Sequence, residues 1–535
     1  MVIPFAFSVS LALAISGPPE TAFAASVSSS EPATTSAPAS AAGLDAPNLP
    51  TVLSTLDASR YAAIFALQEE GNWKAADGQI DQLKDKSLLG EVLAQRYLAT
   101  RYHASFAEAR DWLEHYADLP QAHAVWQLAR KRAPGKSVPK PVPATEQVAS
   151  PTDGADDLVE MSGRPLPAEP RLIGLESPAR YEAGLAAWRA KKWAEAANDF
   201  ESVTRNGTTA SWYVAASAFW AARAHLRLKE PQKVNGWLAT AAEQPRTFYG
   251  MLARRLLGLS PDSDFEPQPL SKAEVAQLQA LPGGRRALAL VQVGETDRAE
   301  AELRALSTRG NKSLASAIVG LGDLANMPAL CLALGRQQSR DDPRQIESQY
   351  PVPRWRPRNG FSVDRALLFA LMMQESRFDT EAQSGSGAAG LMQLMPGTAK
   401  SVARRAGIPL GNVAELVDPV LNLSLGQEYV KQLIGHQQIN GNLILVLATY
   451  NSGTAPLTKW QNKPEYQSDP LMFIESLPRD TTRLYVERVL TNMWIYRQRL
   501  GEDAPDLESL AAGQWPAYVS MDAATQGSAQ HAETR

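Results

Sequence analysis

Residues 364–396, DRALLFALMMQESRFDTEAQSGSGAAGLMQLMP, decide how the rest of the chain is read. Asp364 suits a helix N-cap, and Leu367, Leu368, Leu371 and Met372 recur at helical spacing, so a buried helix is predicted with Glu375 close to its C-terminal end. A carboxyl with Met372 and Met373 before it and Phe378 after it loses solvation, which raises its pKa towards the range of a general acid. A Glu at a helix end ordinarily meets solvent, so this one takes its meaning from its surroundings. The glycine-rich turn from Ser384 to Gly390 lets backbone approach something large, and Leu391 to Met395 adds apolar and amide contacts.

Outward from this stretch the C-terminal third reads as helices. Thr398 is expected to cap a helix that stops by Gly407. Asp418 with Pro419 starts another that runs past Tyr429 to about Ile434. The apolar run from Leu443 ends near Gly453 and delivers Tyr450 and Asn451 at a helix terminus, and a last amphipathic helix covers Thr482 to Arg499. YPVPRWRP, residues 350–357, is too rich in proline to be helical and marks the junction with what precedes. No alternating strand pattern competes.

Gln374-Glu375-Ser376, Ser384, GAAGLMQLMP (387–396) and ATYNSG (448–453) resemble, in order and spacing, the catalytic module of the soluble lytic transglycosylases of bacterial peptidoglycan, which has the goose-type lysozyme fold. Most glycosidases need two carboxylates. Here Glu375 alone has a convincing setting, since Asp379 lies too close in sequence to be placed across the bond. The resemblance implies a single-Glu reaction. Glu375 would protonate the β-1,4 glycosidic oxygen between N-acetylmuramic acid and N-acetylglucosamine, then take the proton of the muramoyl 6-hydroxyl, leaving a 1,6-anhydromuramoyl end. It further implies Ser384 and Tyr450 as hydroxyl partners that orient Glu375. Gln393, Met395 and Asn451 would be walls of the sugar sites, and Glu475, in FIESLP, a second acidic contact to substrate. Thr449 and Ser452 replace the alanine-type neighbours of the usual Tyr-Asn motif, and Thr481 stands where a Glu is common, which removes a carboxylate. A lysozyme-like hydrolase of the same fold and a non-catalytic peptidoglycan-binding scaffold are the alternatives.

The other two thirds fit that resemblance. RYAAIFALQEEGNWKAADGQIDQL from Arg60 repeats as RYEAGLAAWRAKKWAEAANDFESV from Arg180, with Tyr61/Tyr181, Trp73/Trp193 and Ala76/Ala196 among the identities, and residues 288–306 are a looser third copy. Each reads as two short helices around a polar turn, as in tetratricopeptide-like solenoids. FYGMLARRLLG, residues 248–258, resembles a segment at the end of the family's helical superhelix. Trp188, Trp212, Trp220 and Trp237 fall at helical spacing and are read as core, as is the lone Cys331. The expected fold class is mainly α, an α-solenoid followed by an α-helical lysozyme-like domain. Helical repeats are expected over 51–136, a flexible linker or insertion over 137–175, the superhelix over 176–345, the catalytic domain over 346–505 and a disordered tail over 506–535.

Composition sets the remaining bounds. Among 535 residues the apolar content is 44%, the charged content 21% and the net charge -4, an ordinary globular balance without the basic domain of a nucleic-acid binder. Six histidines do not cluster at ligand spacings, so neither metal nor cofactor is expected. The apolar stretch 2–15 and Ala22-Phe23-Ala24 predict a signal peptide over 1–25, ahead of a low-complexity run over 26–50. No later stretch approaches the roughly 18 apolar residues of a membrane span. A soluble periplasmic protein is expected, with glycan strands of peptidoglycan and cell-wall machinery as its partners.

Overall fold

The computed structural model describes residues 50–142, 178–206, 209–260, 265, 268–306, 308, 311–335, 345–477 and 480–522. The expected signal peptide, nearly all of the expected low-complexity run and most of the expected 137–175 linker or insertion lie outside them. The described residues are helical, with isolated bridges as their only strand-like pairing.

The sequence repeat is a structural repeat. α1 (Thr55–Glu69) and α2 (Trp73–Ile80) form a hairpin, followed by α3 (Leu89–Leu98), α4 (Phe106–Tyr116) and α5 (Ala122–Arg132). Next come α6 (Ala179–Arg189) with α7 (Trp193–Thr204), α8 (Ser211–Arg227) with α9 (Pro231–Ala242), and α10 (Phe248–Leu256). α11 (Lys272–Gln279), the pair α12 (Pro282–Val293) and α13 (Thr296–Ala305), the pair α14 (Lys312–Leu324) and α15 (Pro328–Gly335), and α16 (Gln345–Gln349) complete the array. Each of these hairpins turns on one left-handed residue: Gly71, Lys191, Lys229, Gly294 or Asn326. The next N–H then bonds the carbonyl five residues back, as Asn72 to Leu67, Lys192 to Ala187 and Glu295 to Leu290, at 2.8–2.9 Å. This closure satisfies carbonyls that the first helix leaves open, and it persists where lysine takes the place of glycine.

The insertion does not divide the array in two. The N–H groups of Val52 and Leu53 both donate to Gln292 Oε1 at 2.9 Å, and Arg285 and Arg286 of α12 pair with Asp85 and Asp118. Tyr61, Ile64 and Phe65 of α1 share one core with Leu288 and Leu290 of α12 and Ile318 of α14. A second core runs without a break from α6–α10 into the C-terminal module, uniting Phe219, Trp220 and Tyr249 with Phe369, Phe473 and Trp494. Trp188 and Trp220 are buried in it, Trp212 and Trp237 pack on its edge, and Cys331 is buried beneath α14.

The C-terminal module comprises α17 (Arg365–Glu375), α18 (Pro396–Ala406), a 3-10 turn (Val413–Val417), α19 (Pro419–Ile434), α20 (Leu443–Ser452), α21 (Leu457–Gln461), α22 (Pro464–Ser468), α23 (Pro470–Glu475), α24 (Asp480–Leu500) and α25 (Pro505–Ala511). Asp364 caps α17 by accepting from Ala366 N–H, and Asp418 caps α19 by accepting from Leu421 N–H, as expected from sequence. Thr398 caps nothing. α18 starts two residues earlier, at Pro396, whose fixed φ and missing N–H suit a first helical position. The expected disordered tail is also corrected: α25 buries Asp506, Leu507 and Leu510, and the chain stays packed as far as Asp522.

Candidate active site

Glu375 is the last residue of α17, where the buried face Leu367, Leu368, Leu371 and Met372 gives out. It is half-buried, and Tyr485 of α24 donates to its Oε1 at 2.5 Å. Burial pushes the Glu375 carboxyl up to about 7, against the opposing pull of the Tyr485 hydroxyl, which favours the carboxylate. Tyr429 and Tyr450, with ring centroids 5.2 Å apart, complete the surroundings. The phenols of Tyr429, Tyr450 and Tyr485 are all raised, first by burial and then by the Glu375 charge, so each stays a neutral donor.

The backbone just after Glu375 is strained. Arg377 and Phe378 both have positive φ, 52° and 68°, and both are buried. Conformations of this kind cost on the order of 1–3 kcal/mol each and persist only where the surroundings impose them. Here Ser376 imposes them, its hydroxyl donating to Met372 O and accepting from Phe378 N–H.

The glycine-rich turn is folded by residues that sequence had assigned to other tasks. Ser384 Oγ accepts from Ala388 N–H at 2.8 Å and lies 3.0 Å from Ser386 Oγ. Gln393, at φ 44°, donates from Nε2 to the carbonyls of Ala382 and Gly390. Tyr450 donates to Met392 O at 2.8 Å. The hydroxyl bonded to Glu375 is therefore that of Tyr485, while Ser384 and Tyr450 shape the turn beside it. Asn422 of α19 anchors the same turn, accepting from Met392 N–H and donating to the carbonyls of Ala389 and Leu416. At Gly390 (φ 74°) a Cβ would lie 2.1 Å from Leu416 O and 2.2 Å from Asn422 Nδ2, which only glycine avoids.

Met395 is 43% exposed at the mouth of the turn. Asn451 is exposed, and its Oδ1 accepts from Thr482 Oγ1 at 3.0 Å, with Ser452 Oγ 2.7 Å from the same hydroxyl. Asp379 accepts from Glu381 N–H and makes no bond to Glu375.

Glu475 faces the helical array. It is 5% exposed, with Oε1 accepting from Tyr181 and Tyr249 of the helical array at 2.6 and 2.5 Å and Oε2 from Arg483 at 3.1 Å. Every residue of α23 is buried, and Arg223 of α8 holds Asp469, its N-cap, at 2.7 Å. The expected acidic substrate contact is instead part of a plug by which the module docks into α6, α8 and α10.

The transglycosylase SLT domain family matches residues 356–473, the region that carries Glu375, the glycine-rich turn and Tyr450. The soluble lytic murein transglycosylase of Escherichia coli K12 is 34% identical over 158 residues, which are 29% of this chain and 24% of that protein, so the match spans about a quarter of that relative's length. Among solved structures, an inactive mutant of the lytic transglycosylase Slt from Pseudomonas aeruginosa matches 87% of this chain and 70% of its own, with a TM-score of 0.50 and 23% identity. The 70-kDa soluble lytic transglycosylase from Escherichia coli matches 86% and 99%, with a TM-score of 0.51 and 18% identity, and both likenesses speak for the fold. The likeness to the transglycosylase SLT domain family therefore lies in the module at residues 356–473, which carries Glu375.

Proposed function

We propose that the protein is a lytic transglycosylase that cleaves the β-1,4 bond between N-acetylmuramic acid and N-acetylglucosamine in peptidoglycan, with Glu375 as its single acid and base. The observation that carries this reading is the setting of Glu375: one carboxyl, raised to about 7, with a phenol bonded to it and, among the described residues, no second carboxylate engaged with it. The two other acids that the sequence offered, Asp379 and Glu475, have their carboxyls bonded elsewhere.

At neutral pH a substantial fraction of Glu375 is protonated and ready to donate to the glycosidic oxygen. As the bond breaks, the departing N-acetylglucosamine takes that proton, and the substrate's own N-acetyl group stabilises the muramoyl cation. Tyr485 donates to the carboxylate that remains and keeps it in place. That carboxylate then accepts the proton of the muramoyl 6-hydroxyl while its oxygen closes on C1, so the acid is regenerated and no water is consumed. Tyr450, Asn422 and Gln393 hold the turn whose rim, with Met395 and Asn451, forms the walls of the sugar sites.

The same reading makes glycan strands the partner, and places the protein in the periplasm among the cell-wall machinery. The apolar segment 2–15 and Ala22-Phe23-Ala24 support that location, and no described helix is long and apolar enough to cross a membrane. The test is mass spectrometry of the muropeptides released from purified sacculi by wild type and by Glu375→Gln. Anhydro products one water lighter than reducing ends, absent with the variant, are expected. Reducing ends would establish a hydrolase instead, and no release by either protein would establish a scaffold.

A further inference from the structure

Beyond α25 the chain returns across the module. Leu443 N–H donates to Pro516 O at 2.9 Å and Tyr518 N–H to Gly441 O at 2.8 Å, so residues 516–518 pair with the entry to α20. The same segment closes the entry to α17. Asp364 N–H donates to the Tyr518 hydroxyl at 2.9 Å, Arg365 N–H and Nε donate to the Asp522 carboxylate at 2.9 and 2.8 Å, and Met521 N–H donates to Asp364 Oδ2 at 3.1 Å. Arg497, wholly buried on α24, joins the three parts by donating to Asp364 Oδ2 and Val519 O at 3.1 Å and pairing with Asp506. The N–H groups of Asp364 and Arg365 are among those a helix start cannot satisfy internally, and the Asp522 carboxylate lies at the end where the helix dipole favours negative charge.

These anchor points matter because of what sits at the far ends. α17 ends at Glu375, α20 carries Tyr450 near its end, and α24 carries Tyr485. An eleven-residue helix is roughly 16 Å long, so a tilt of about 5° at its start carries its tip about 1.4 Å. A hydrogen bond does not survive a displacement of that size. We propose that residues 513–522 are a strap that positions the acid, with Tyr518 and Asp522 as its positioning residues. They fix how α17, α20 and α24 sit against one another, and so hold the Tyr485 hydroxyl on Glu375. The strap lies outside residues 356–473, where the domain family matches, and its catalytic consequence rests on the reading of Glu375 given above.

The test compares full-length wild type with Tyr518→Phe/Asp522→Ala and with a chain ending at Ala512, each checked by circular dichroism and thermal melting. Two readouts are taken: kcat and KM on a soluble, uncross-linked glycan strand, and the titration midpoint of the Glu375 carboxyl, observed by carbon-13 NMR of labelled glutamate against Glu375→Gln. In the double variant, kcat is expected to fall about tenfold with KM within about twofold, as for a small misplacement of a catalytic group, and the midpoint to shift from that of the wild type. The shortened chain is expected to show both effects, and a synthetic peptide of residues 513–522 to restore them in part. A folded double variant with a lower melting temperature but wild-type kcat and midpoint overturns the strap. Because the midpoint is read without turnover, a wild type that releases no anhydro product condemns the functional reading while leaving the strap to be judged by the titration.

Discussion

Glu375 is an acid made by subtraction, because what raises it is lost water and the Tyr485 hydroxyl bonded to it works in the opposite direction. Replacing Tyr485 by Phe removes a donor that favours the carboxylate. The alkaline limb of the pH–rate profile, where the acid loses its proton, is therefore expected to move above about 7, with a fall in kcat because the carboxylate formed in turnover loses its partner. A limb that stays put would remove Tyr485 from the site. The same burial makes Glu375 a liability to the fold. Its pKa rises from an ordinary 4.5 to about 7 on folding, so the stability of the wild type is full below 4.5 and declines as pH rises through 7. Glu375→Gln escapes that decline and should be more stable by about 1–3 kcal/mol at pH 8, with the gain vanishing at about pH 4, as urea unfolding at the two pH values would show. At this scale the acid was legible, because its apolar neighbours are adjacent in sequence. Tyr485 was not, because its partner lies 110 residues away and its helical spacing is that of any core tyrosine.

Among the elements, α23 shows how a linear motif misleads. FIESLP displays an acid but not its partners, and those partners, Tyr181 and Tyr249, are 294 and 226 residues distant. The structure makes Glu475 a docking group, and the two roles have opposite signatures. Glu475→Ala leaves Arg483 and two phenols facing a gap, and is expected to destabilise by about 3–5 kcal/mol, as when one partner of a buried ion pair is removed. The folded fraction should retain its KM. A raised KM at an unchanged melting temperature would return Glu475 to the substrate cleft. The starts of α17 and α19 were readable because each is capped by its own neighbouring aspartate. The start of α18 was not read, since threonine and proline signals lay two residues apart and proline prevailed. α25 was taken for tail because PDLESLA is short and weakly patterned, yet it is held by the buried pair of Arg497 with Asp506 and by the exposed pair of Arg255 with Glu508.

For the molecule as a whole, the repeat announced helical hairpins but not where they would dock. The polar turns of the hairpins were visible, but not the left-handed residue on which each closes, and Gln292 holding Val52 and Leu53 joins positions about 240 apart and leaves no local trace. That long-range contact separates the order of the chain from the order of its neighbours in space. α1 seats against α12, and no described hydrogen bond or core cluster ties α1–α5 to α6, which follows them in sequence. Continuity of the polypeptide between residues 142 and 178 is therefore expected to be dispensable to the assembly. A protein cleaved there after folding, at an engineered protease site, should elute from a sizing column as one particle and keep its turnover. Two fragments that part on the column would show that the covalent link is needed after all. Seen this way, residues 50–142 are held in place by α12 and α14, which come more than a hundred residues later, and not by the segment that follows them in the chain.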